Sequence, residues 1–115
     1  MNGVLSVLTV VPTAGFEAAA EWYERFLGRP ADRRPMDGCW EWQLADGGGI
    51  QLFRDAEHAG GTQVTLAVED VDGLAAGLAA RGVPVEEPAD VPSGQFRLTT
   101  VTDPDGNSFV LAQQL

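Results

Sequence analysis

The chain has 115 residues, of which 44% are hydrophobic and 21% charged, a size and balance that fit one globular domain able to bury a core without disulfide or structural metal. Its longest nearly apolar run, residues 7–11, is far short of the ~18 residues that a membrane span requires. Seven arginines, no lysine and seventeen carboxylates give a formal net charge of −10, which disfavours nucleic acid and anionic membranes as partners and attracts cationic small molecules while keeping the protein soluble.

Residues 4–11 are β-branched and aliphatic and end at Pro12, so they predict a buried first strand. A turn through Gly15 leads into a helix predicted over Phe16–Leu27, where Phe16, Ala19, Ala20, Tyr23, Phe26 and Leu27 recur at helical spacing. Glu17, Glu21, Glu24 and Arg25 fall on the wet side, and Gly28 supplies a stop. Trp22 lies off the stripe, which suits a subunit contact or a half-exposed position. Short strands follow at 31–34, 39–45 and 49–54, the last two joined by the hairpin signal Asp46-Gly47-Gly48-Gly49.

The second half repeats this order. Residues 62–68 alternate polar and apolar, Glu69-Asp70 opens a helix, and Val71, Leu74, Ala75, Leu78 and Ala79 form its stripe. Arg81-Gly82 ends it; a strand at 83–87, a loop at 88–94 and a strand at 95–102 come next. Asp103-Pro104-Asp105-Gly106-Asn107 is a tight turn, in which Asp103 and Asp105 cap and turn backbone, and residues 108–113 close the chain as a strand. Both helices end on a Gly-x-Pro step, at Gly28 to Pro30 and Gly82 to Pro84. This internal duplication predicts two modules of one domain, residues 1–57 and 58–115.

The turn 103–107, the helix segment Ala19-Ala20-Glu21-Trp22-Tyr23 with Leu27-Gly28, and Val68-Glu69-Asp70-Val71, in this order over nearly the whole chain, resemble the vicinal oxygen chelate superfamily. That superfamily includes glyoxalase I, bleomycin-resistance proteins and extradiol dioxygenases. The resemblance implies an α+β fold in which two βαβββ modules pair into a curved, barrel-like mixed sheet with helices outside. It also implies a cleft between the sheets and a homodimer. Metal-dependent members carry ligands on strands one, four, five and eight. At the matching positions this chain has Ser6, Gln51, Gln63 and Val110, a hydroxyl, two neutral amides and an aliphatic side chain that hold a divalent cation poorly. The expectation is therefore no metal and no cofactor. The single histidine, His58, falls in a loop outside those positions.

Alternation along each strand predicts which residues face the cleft. Ser6, Leu8, Gln43, Gln51, Phe53, Gln63, Thr65, Ala67, Phe96 and Val110 point inward, with Glu41 as the one carboxylate. Pairing Leu44 with Ile50 sets Gln43 against Gln51 and Glu41 against Phe53, with Trp40 and Trp42 on the helix side. A slip of one residue at the glycine-rich hairpin turns both tryptophans into the cleft instead. Amides, hydroxyls and rings suit a neutral, cationic or aromatic organic ligand. No Ser-His-Asp arrangement or phosphate loop is present, and Arg97 is expected to pair with surface carboxylates.

The lone Cys39 and the lack of a basic leader point to the cytoplasm. Three functions remain open at this stage. The first is a metal-free protein that sequesters a small organic molecule in the manner of bleomycin-resistance proteins. The others are a metal-dependent lyase, isomerase or transferase, and a structural or regulatory dimer with a vestigial cleft. Whether the cleft lies within one chain or between exchanged chains is also open.

Overall fold

The computed structural model describes all residues, Met1–Leu115. The elements are β1 (Val7–Thr13), α1 (Phe16–Leu27), β2 (Arg33–Met36), β3 (Cys39–Ala45), β4 (Gly48–Arg54), β5 (Gln63–Ala67), α2 (Val71–Ala80), β6 (Ala89–Asp90), β7 (Phe96–Thr102) and β8 (Ser108–Gln114). They form two four-stranded mixed sheets, ordered β1-β4-β3-β2 and β5-β8-β7-β6. Each half is a βαβββ unit whose outer strand runs parallel to the last strand of its own half. The α+β fold implied by the family resemblance is the one observed.

Helix α1 has the predicted bounds, and Gly28 closes it in the left-handed region at φ 76°, where a residue without Cβ is unstrained. Its buried face is wider than the stripe predicts. Trp22 is buried, correcting its half-exposed placement, because its ring packs 4.8 Å from Tyr23 and 5.1 Å from Phe26. In α2, Val71, Ala75 and Leu78 are buried but Ala79 is exposed. Asp70 caps α2 by accepting from the Gly73 N–H.

Several strand boundaries differ from the sequence reading. β1 begins at Val7, leaving Ser6 just ahead of it, and continues through Pro12 to Thr13, which an edge strand tolerates because one side of its ladder is open. Only Val11, Pro12 and Thr13 of it are buried, so the fully buried first strand expected over 4–11 is corrected to one whose first half lies at the surface. β2 begins at Arg33 rather than at residue 31. Residues 83–87 are not a strand: Pro84 and Pro88 lack N–H donors, and the Val83 N–H is spent on the Leu78 carbonyl at the end of α2. The second strand of that half is instead the two-residue β6.

The helix-facing sides of both sheets share one apolar core. Val11, Trp42, Ile50 and Leu52 from the first sheet join Val64, Val101, Phe109 and Leu111 from the second. The α1 rings bridge them, with Phe26 4.9 Å and Tyr23 5.9 Å from Phe109. Burying side chains of this size contributes about 1.5–3 kcal/mol each. The outer edges of β1 and β5 are linked by the Thr62 hydroxyl, which donates to the Val10 carbonyl at 3.2 Å.

Candidate functional site

The β3–β4 hairpin decides which side chains reach the face opposite α1. Glu41 pairs with Gln51, Trp42 with Ile50 and Gln43 with Gly49. The expected partners of Glu41 and Gln43 are therefore two residues out, and Leu44, expected opposite Ile50, falls at the register irregularity and has no partner in the ladder. The turn is tighter than the glycine run suggested: Gly47 adopts φ 69°, β4 begins at Gly48, and the register shifts between Gln43 and Ala45. A shift of two residues preserves the face of every side chain. Trp40 and Trp42 accordingly stay on the helix side, with Trp40 edge-on to Phe16 at 5.5 Å and the Trp42 Nε1 donating to the Arg29 carbonyl. The alternative register, with both rings in the cleft, does not occur.

Glu41 is almost fully buried, at 7% exposure, and a polar group so placed needs partners. Gln51 Nε2 donates to its Oε2 at 2.7 Å, and the Arg33 Nε stands 3.6 Å from its Oε1. The neighbouring Asp32 accepts from the Gln43 N–H and is held below the ordinary carboxylate range chiefly by its bond to Arg29. Ser6, Leu8, Glu41 and Gln43 line one cavity of about 250 Å³ together with Asp32, Arg33 and the turn glycines Gly47 and Gly48. Asp32 and Arg33 had no signal in the sequence. They enter because the backbone of residue 32 bonds to the Glu41 carbonyl, drawing the segment before β2 against β3.

The remaining expected residues lie elsewhere. Gln51 and Phe53 are half-buried on the same sheet face but outside this cavity. Gln63 and Phe96 are exposed, and Val110 is half-buried on the second sheet opposite Thr65 and Thr100. Thr65 and Ala67 border a different, apolar crevice. Neither of these two cavities joins candidate residues of the first sheet to those of the second.

The donors at the ligand positions remain Ser6, Gln51, Gln63 and Val110, and Gln51 spends its N–H on Glu41. No three His, Cys, Asp or Glu side chains come together at a distance suited to an ion. These residues do not fit a divalent metal. His58 is exposed and bonds Asp55 at 2.8 Å. Burial, and then the Glu41 charge, push the Cys39 thiol up from its ordinary value. Arg97 pairs with Asp72 and Asp90, as expected for a surface arginine.

The turn 103–107 does more than reverse the chain. The Asp103 carboxylate accepts from the Tyr23 hydroxyl at 2.6 Å and from Asn107 Nδ2 at 2.8 Å, and its other oxygen accepts the backbone N–H of Asp105 and Asn107. Asp105 accepts from the Thr13 hydroxyl and the Ala14 N–H, and Asn107 donates to the Pro12 carbonyl. These bonds fasten the second half to the end of β1 and the start of α1.

The model of the glyoxalase-like domain family matches residues 8–112. A glyoxalase/bleomycin resistance protein from Catenulispora acidiphila DSM 44928 has a similar structure, with a TM-score of 0.89 and 32% identity over 96% of this chain and 99% of that one. The antibiotic-binding protein TnmS3 from Streptomyces sp. CB03234 superposes with a TM-score of 0.81 at 25% identity, covering 100% of this chain and 99% of that one. A bleomycin-binding protein solved with bleomycin shares the fold, with a TM-score of 0.78 at 20% identity and coverage of 96% and 98%. A search of curated proteins finds no match to the chain. With the repeated βαβββ units on the page and the family model spanning both of them, this chain belongs to the glyoxalase-like domain family of the vicinal oxygen chelate superfamily.

Proposed function

We propose that the protein binds a small cationic or aromatic organic molecule without a metal, holding it on the sheet face around Glu41. The observation that carries this reading is the buried Glu41 carboxylate at the wall of the cavity beside Asp32. Asp32 is paired with Arg29, while the guanidinium facing Glu41 is Arg33, at 3.6 Å and with its side chain 75% exposed, which offsets the buried charge only weakly. A cationic group entering the cavity pairs with Glu41 more closely than the distant, exposed Arg33 does, and the exposed Gln43 amide and Ser6 hydroxyl give it orientation. The proteins of similar structure whose names record bleomycin or antibiotic binding support the same class of ligand.

In this reading the cleft is completed in a homodimer. The candidate residues fall into two sets, Ser6, Glu41, Gln43, Gln51 and Phe53 on the first sheet and Gln63, Thr65, Phe96 and Val110 on the second, with neither of the two cavities shared between them. Leu8, Val10 and Phe96 are 38–46% exposed, and a second copy covers such apolar surface at an interface. Nucleic acid and membrane have no part in the proposal, and it places the protein in the cytoplasm, where Cys39 stays reduced. No helix is long and apolar enough to cross a membrane.

Titration calorimetry with bleomycin and a panel of cationic and uncharged aromatic natural products tests the proposal. Binding of a cationic or aromatic member to protein stripped of metal by chelator is expected. Glu41→Gln is expected to weaken cationic ligands about tenfold, the worth of one charge-assisted bond. If no compound binds, or if binding appears only after zinc, nickel, manganese or iron is restored, the reading is wrong.

A further inference from the structure

The duplication places two equivalent crevices in the molecule, and only one of them is filled. Matching Phe16 of α1 to Val71 of α2 makes Leu78 and Arg81 the counterparts of Tyr23 and Phe26. In the filled crevice the turn between β7 and β8 reaches over the end of β1 and places the Asp103 carboxylate on Tyr23. The turn between β3 and β4 is only Asp46-Gly47, too short to make the equivalent reach. An open crevice of about 470 Å³ remains there, bordered by Leu44 and Ala45 of β3, Ala67 at the end of β5, and Leu74 and Leu78 of α2.

We propose that this crevice is a second binding site, one that takes an organic carboxylate with an apolar body. Ten of its twelve lining residues are hydrophobic and none is acidic. Its one charged group is Arg81, for which the structure provides no carboxylate partner. The guanidinium is fixed by Nε and Nη2, which donate to the Arg25 and Phe26 carbonyls at the end of α1. Nη1 has no protein acceptor and is free to donate to a ligand carboxylate. Charge complementarity thus selects an anion at the rim and the hydrocarbon walls select its tail. The net charge of −10 acts against anions at long range, but at physiological salt it is screened beyond about 8 Å. The crevice shares only Thr65 and Ala67 with the residues expected to point into the cleft.

Titration calorimetry of the full chain with decanoate and with decanol separates charge from hydrocarbon. Decanoate is expected to bind at one site per chain, about tenfold tighter than decanol, and Arg81→Gln is expected to remove that difference while leaving decanol unchanged. Ala45→Trp, at an exposed position on the rim, is expected to block both compounds while the unfolding temperature stays the same. Ala67→Phe blocks from the opposite wall if the first variant does not fold. Glu41→Gln leaves decanoate affinity unchanged, so failure of the cleft reading and failure of this one are told apart. Absence of saturable binding, equal affinity for decanoate and decanol, or undiminished binding in the blocked variants overturns the proposal.

Discussion

Tyr23 places a phenol among apolar rings, where an unpaired hydroxyl would cost about 1–3 kcal/mol, and the Asp103 carboxylate removes that cost. Burial and then the Asp103 carboxylate push the Tyr23 phenol well above its ordinary value of 10.0. A raised pKa stabilises the fold fully below the unfolded value, and that contribution falls as pH rises above about 10 because only the unfolded chain releases the proton. Tyr23→Phe is expected to lower stability at pH 7 by about 1–3 kcal/mol and to flatten the alkaline limb of a stability-pH profile. An unchanged alkaline limb would count against this account. Asp105 matters for a different reason: α1 has Gly15 at its N-cap and no side-chain cap of its own. Asp105, far along the chain, instead fixes the residues that lead into the helix, accepting from the Thr13 hydroxyl and the Ala14 N–H. Asp105→Ala is expected to cost about 1 kcal/mol in urea unfolding, and a neutral result would show that water replaces these bonds.

Among the elements, the hairpin β3–β4 is where small backbone distances control the candidate site. A Cβ on Gly49 would stand 2.3 Å from the Trp42 carbonyl oxygen, so Gly49→Ala must separate the two strands. A loss of about 1–3 kcal/mol is expected in chemical denaturation, together with weaker binding of any ligand held by Glu41. Retention of both would mean that the strands are less closely apposed than the structure shows. The long periodic helix α1 and the strands with strong alternation were legible because their residues carry the signal locally. The segment 83–87 was misread because its hydrophobic pattern resembles a strand, while its prolines and the bond from Val83 to Leu78 remove the donors a ladder needs.

For the molecule as a whole, the shared core and the bonds from the 103–107 turn tie the halves together. Residues 1–57 and 58–115 are therefore expected to unfold in a single calorimetric transition with equal calorimetric and van't Hoff enthalpies per cooperative unit. Two resolved transitions would show independent modules. Sedimentation equilibrium is expected to give a dimer that Val10→Glu weakens, since Val10 is 46% exposed on the open face of β1; a monomer at all concentrations would remove the second copy from the cleft.

The sequence by itself determined the duplicated βαβββ order, the α1 boundaries, the surface pairing of Arg97 and the inward parity of Glu41 and Gln51, since each follows from local period and composition. Tertiary structure decided the hairpin register, the burial of Trp22, the entry of Asp32 and Arg33 beside Glu41, and the long reach of the 103–107 turn. Period tells which way a side chain points, but not which distant backbone lies there to meet it. Those meetings are fixed only when both sheets close on one core.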